Sequence, residues 1–83
     1  MSKKNQFDKN MKLQSKLADY VIKSPSLLKK HGESSYVMFV EGDDELNKMN
    51  LKLVESVKKE DKNVIMATFT GIKSNPWRFE TAN

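Results

Sequence analysis

Two short apolar runs set the limits on what this chain can fold into. The first is Tyr36-Val37-Met38-Phe39-Val40, the second Val64-Ile65-Met66-Ala67-Thr68-Phe69. Neither alternates apolar with polar residues, which is the pattern of strands covered on both faces. The segment between them has helical periodicity and enough length for a crossover connection, so residues 36–70 read as a βαβ unit with parallel strands.

The crossover opens at an acidic corner, Glu41-Gly42-Asp43-Asp44-Glu45. Gly42 or Asp43 is placed to cap a helix, and the neighbouring carboxylates fall in the first turn, where free amides and the positive dipole end favour them. Leu46, Met49, Leu53, Val54 and Val57 follow at helical spacing as the packing stripe. Leu51 lies off that stripe and is expected to be partly exposed.

An earlier helix is expected from Asn5 or Gln6 to about Lys23. On a wheel of about 100° per residue, Phe7, Met11, Ala18, Val21 and Ile22 make one face, and Leu13, Leu17 and Tyr20 extend it sideways. That arc covers about half the circumference, where a helix resting on one core needs little more than about 100°. Part of it is therefore left for a second surface. Ser24-Pro25 restarts the chain as a short helix over Ser26 to Lys30, with Ser24 as cap, Leu27 and Leu28 closing the end of the core, and Gly32 placed to end it.

Beyond Gly71, Asn75-Pro76 makes a turn, and Trp77-Arg78-Phe79-Glu80-Thr81 alternates large apolar with polar residues. This is the period of a half-buried strand. The expected fold is a small α/β (α+β) domain of order α, short α, β, α, β with a possible third strand, its parallel core covered by the N-terminal helix. The chain reads as one domain over 1–83: flexible 1–5, helical cover 6–31, the βαβ unit 36–70, and a tail or extra strand 71–83.

At 83 residues without cysteine, such a chain buries roughly 60 to 65% of its extended-chain surface and has no disulfide or thiolate metal site to reinforce it. Oligomerisation is a natural supplement, and a homodimer is expected. Its contact surface is placed at Leu13, Tyr20, Trp77 and Phe79, with another protein as the alternative occupant. There is no signal-peptide core and no apolar run approaching the roughly 20 residues that span a bilayer, so a soluble cytoplasmic protein without membrane contact is expected.

Chemistry-bearing residues are sparse. Glu41, Asp43, Asp44 and Glu45 are the weak candidates for a hard cation, lacking the alternating oxygen ligands of an EF-hand loop, and capping already accounts for them. A shared acidic site across a dimer is the one enzymatic form these residues allow. His31 is the single histidine, no serine sits in a nucleophile-elbow pattern, and no cofactor is expected. Phosphate binding at the corner has only Gly42 and no Gly-x-Gly or Gly-Lys-Ser/Thr.

The net charge of +4 is unevenly spread, with +6 over residues 1–31 and −5 over residues 32–47. Lys9, Lys12, Lys16 and Lys23, together with Arg78 between Trp77 and Phe79, form the nucleic-acid alternative; Lys3 and Lys4 extend it. A chain with a single arginine is poorly suited to bidentate base recognition.

The Lys23-Ser24-Pro25-Ser26-Leu27-Leu28 and Phe39-Val40-Glu41-Gly42-Asp43-Asp44-Glu45-Leu46 segments resemble a small prokaryotic family that is a domain of unknown function. They anchor about two thirds of the chain. The resemblance implies a compact α/β fold and carries no activity or functional residue.

Overall fold

The computed structural model describes residues 1–31, 34–60 and 63–82, without the side chains of Leu28, Lys30 and His31. The expected roles of Leu28, His31 and Gly32 lie outside those residues. The elements are α1 (Lys3–Lys23), α2 (Ser26–His31), β1 (Ser35–Val40), α3 (Asp44–Lys58), β2 (Val64–Phe69) and β3 (Trp77–Thr81).

The two apolar runs form the parallel pair β1 and β2, with Val37 opposite Met66 and Val40 opposite Phe69. The tail supplies the third strand. β3 lies antiparallel to β2, with Phe69 opposite Trp77, and the sheet order is β1-β2-β3. Gly71, at φ +76°, turns the chain out of β2 in a conformation that β-carbon sterics make costly for other residues. The turn is closed by Thr70, whose amide donates to Pro76 O at 2.8 Å and whose hydroxyl donates to Asn75 O at 2.6 Å.

Successive strand residues point to opposite faces, and both faces are apolar. On one, Met38, Ala67 and Trp77 meet Leu13 and Leu17 of α1 and Leu46 of α3, with Tyr20, Val21, Tyr36, Val40, Phe69 and Phe79 around them. On the other, Val37, Phe39 and Val64 meet Val54, with Val57, Met66 and Ala82 at the margin. The N-terminal helix therefore covers the sheet as expected.

Helix boundaries follow their caps. α1 starts at Lys3, before the expected Asn5, because the Ser2 hydroxyl accepts from the Asn5 amide at 3.1 Å. Residues 3–5 are helical, where a flexible lead-in was expected. Asp43 caps α3, its carboxylate accepting from Leu46 N at 3.2 Å. Gly42, at φ +93°, makes the turn between β1 and that cap.

The rotation of α1 differs from the expectation. Leu13 and Leu17 point into the core, while Phe7, Met11 and Ile22 are 63%, 52% and 77% exposed. The set read as the main face is the lateral one, and the set read as its side extension is the packing face. The cause lies at the N-terminal end of the helix, where Gln6 and Asn10 point inward in line with Leu13 and Leu17. A count of apolar residues alone places the arc on the wrong side when two of the inward residues are amides.

Candidate functional site

The inward amides of α1 meet Asn50, the one buried polar residue among those described, with no exposed surface. Its Oδ1 accepts from Gln6 Nε2 at 2.9 Å and from Asn10 Nδ2 at 3.1 Å. Its Nδ2 donates to Asn10 Oδ1 at 2.9 Å and to the Met38 carbonyl at 2.6 Å. Two donors and two acceptors are the full capacity of an asparagine side chain, and here all are met. The sequence stripe Leu46, Met49, Leu53, Val54, Val57 missed Asn50, and Leu53 is on the exposed side of α3. Leu51 is exposed as expected.

Asn47, one turn earlier, acts on the same strand. Val40 N donates to Asn47 Oδ1 at 2.9 Å, and Asn47 Nδ2 donates to Val40 O at 2.8 Å. Ser35 and Glu41 turn their amides toward the β2 side, so the even-numbered residues of β1 point their backbone groups outward. Asn47 and Asn50 therefore occupy the free edge of β1 where a fourth strand would pair. The Met38 carbonyl and both backbone groups of Val40 are thereby occupied, which disfavours strand addition at that end of the edge.

The acidic corner does not converge. Asp43 is held by the cap and by Lys9 Nζ at 3.0 Å, Glu45 pairs with the amino group of Met1, and Glu41 lies 3.8 Å from Arg78 Nη1. The Lys9 hydrogen bond, followed by the Leu46 amide, holds the Asp43 carboxyl below the usual carboxylate range. Among the described residues no three acidic or histidine side chains are grouped to hold a metal ion. Capping and separate ion pairs account for the cluster's composition.

The five basic candidates do not form one surface, because Arg78 is apart from the four lysines of α1. Lys9 is engaged by Asp43, Lys16 Nζ lies 4.7 Å from the centre of the Phe69 ring, and Arg78 Nε is 3.5 Å from Glu80 Oε1. Arg78 lies between two residues that face α1, so alternation directs it to the opposite face of the sheet from Lys12, Lys16 and Lys23.

The contact residues expected at Leu13 and Trp77 are inside the chain's own core, 5% and 3% exposed. Trp77 packs on Phe69 with ring centres 5.3 Å apart, and Phe79 meets Tyr36 edge-on at 6.3 Å. Tyr20 and Phe79 are half-buried at the rim of the same cluster. Once β3 pairs with β2 in the same chain, the alternation that made Trp77 look like an anchor for a partner directs it under α1. Burial also raises the Tyr36 hydroxyl above its ordinary pKa.

The lateral face of α1 is uncovered, as are Leu51 and Leu53 of α3 and Ile72 after β2. Phe7, Met11, Gln14, Ala18 and Val21 follow at spacings of four, three, four and three, a straight seam along a helix. Next to the C-terminal half of that seam is a hollow of about 350 Å³ lined by Gln14, Leu17, Ala18, Val21, Tyr36 and Met38. Its walls are largely apolar, with the Gln14 amide and the Tyr36 hydroxyl as polar points.

A protein-family model matches residues 5–80, from α1 through β3. The chain belongs to the family of unknown function DUF5647. The DUF5647 match thus takes in β1, β2 and β3 up to Glu80, both asparagines at the sheet's edge and the exposed seam of α1. No curated protein and no solved structure matches the chain. Among the described residues, no helix is long and apolar enough to cross a membrane.

Proposed function

We propose that this protein is a non-enzymatic interaction module that works by associating with a second copy of itself through the lateral face of α1. The observation that carries this reading is the pairing of Phe7 and Met11, one turn apart and 63% and 52% exposed, on a helix whose core positions are already filled by Leu13 and Leu17. Large apolar side chains gathered on one strip, rather than scattered singly, are the usual mark of a contact surface. Asn47 and Asn50 occupy the Val40 groups and the Met38 carbonyl on the edge of β1, which disfavours strand addition there and supports association through the helix.

The test is Met11→Glu. A charge placed on the strip is expected to abolish association while leaving the helical signal and the unfolding midpoint of dilute protein unchanged, since Met11 lies outside both core clusters. Association that persists unaltered in Met11→Glu and in Phe7→Glu would remove the α1 surface from this role.

A further inference from the structure

We infer that the two copies pair antiparallel along α1 about a two-fold axis passing beside Gln14, with Met11 of each copy entering the hollow beside Ala18 and Val21 of the other. The inference rests on the self-association reading above and adds its geometry.

The seam is self-complementary. On the N-terminal side of Gln14 stand the exposed Met11 and Phe7; on the C-terminal side stands the 350 Å³ hollow, with the small Ala18 and the half-buried Val21 at its lip and the exposed Ile22 beyond them. At a rise of about 1.5 Å per residue, Met11 and Phe7 lie about 4.5 and 10.5 Å from Gln14 in one direction, and Ala18 and Val21 about 6 and 10.5 Å in the other. A two-fold rotation beside Gln14 therefore places projection against hollow twice, which is the relationship a closed two-fold contact requires. A parallel pairing would set projection against projection and leave both hollows empty.

Lys9, Lys12, Lys16 and Lys23 lie together on the side of the helix away from the seam, and Asp8, Asn10 and Ser15 flank it. Gln14 meets its counterpart near the axis, where two amides can exchange hydrogen bonds.

The natural chain has no cysteine, so single-cysteine variants report the geometry directly. Gln14→Cys is compared under mild oxidation with Lys16→Cys on the outer side of α1, and Met11→Cys is mixed with Ala18→Cys. Because a disulfide forms only between β-carbons about 3.5 to 4.5 Å apart, Gln14→Cys is expected to link at least about tenfold faster than Lys16→Cys. The mixture is expected to give the Met11–Ala18 heterodimer in preference to either homodimer. A dimer by light scattering in which Gln14→Cys links no faster than Lys16→Cys, or in which Met11→Cys prefers itself, overturns this geometry and leaves the self-association reading standing. A monomeric native chain overturns both.

Discussion

The side-chain nitrogen of Asn50 donates to the Met38 carbonyl at 2.6 Å, from a helix to the outward edge of a strand. This bond ties α3 to β1 at a point with no exposed surface, and through Gln6 and Asn10 it ties α1 to the same point. Its consequence for association is that the sheet ends at β1.

Asn50→Ala leaves the Met38 carbonyl without its side-chain donor and strands the inward amide of Asn10. A buried polar group deprived of its partner costs about 1 to 3 kcal/mol. The urea midpoint should fall accordingly, and Asn50→Asp should fall further, because a carboxylate cannot donate to Met38 O. An Asn50→Ala midpoint equal to the native one would mean that the network contributes nothing to stability.

Asn47→Ala acts on the edge itself. The Val40 carbonyl keeps the Asp43 amide at 3.1 Å, whereas the Val40 amide loses Asn47 Oδ1. We expect a loss of about 1 kcal/mol together with a rise in concentration-dependent light scattering, as the reopened edge becomes available for strand pairing. Scattering that stays at the native level at equal concentration would contradict the edge-closing role.

Asp43 supplies a pH dependence. Lys9 and the Leu46 amide depress its carboxyl in the folded chain, so its contribution is present above the ordinary value of 3.8 and is lost as pH falls through its own lower value. The native chain should therefore lose more stability than Asp43→Asn as pH falls from about 5 through 3.8 and below. At neutral pH, removal of the cap in Asp43→Ala should cost about 0.5 to 2 kcal/mol. Parallel acid limbs for native and Asp43→Asn proteins would contradict the depressed carboxyl.

Trp77 and Met11 make opposite predictions, although both are large apolar residues near α1. Trp77→Ala removes a side chain 3% exposed between Phe69 and α1 and should cost about 3 to 5 kcal/mol, enough to unfold much of a domain this small. Far-UV circular dichroism reads that loss. Met11→Glu should leave the same spectrum intact, and a folded Trp77→Ala would move the tryptophan back to a peripheral role.

The parts of this fold that could be read from sequence are those governed by local pattern. Unbroken β-rich runs gave β1 and β2, period-two alternation after Asn75-Pro76 gave β3, and Asp43 ahead of an apolar stripe gave the start of α3. The family resemblance at Ser24-Pro25 and the acidic corner agrees with the matched span. The failures share one cause. Gln6, Asn10 and Asn50 are polar residues whose side chains bond to one another and, from Asn50, to Met38 O, and a hydropathy pattern assigns all three to solvent. Without them the rotation of α1 could not be read, so Leu13 was placed on the contact surface and Phe7 with Met11 in the core. Trp77 was misplaced for a related reason, since alternation shows that one side of β3 is apolar but not which layer covers it.

The most direct test of the account is the molar mass in solution, by light scattering across a wide concentration range at moderate salt. The account predicts a species of twice 9.6 kDa that Met11→Glu reduces to the single-chain mass at the same concentration. A native chain that stays at 9.6 kDa throughout would contradict it.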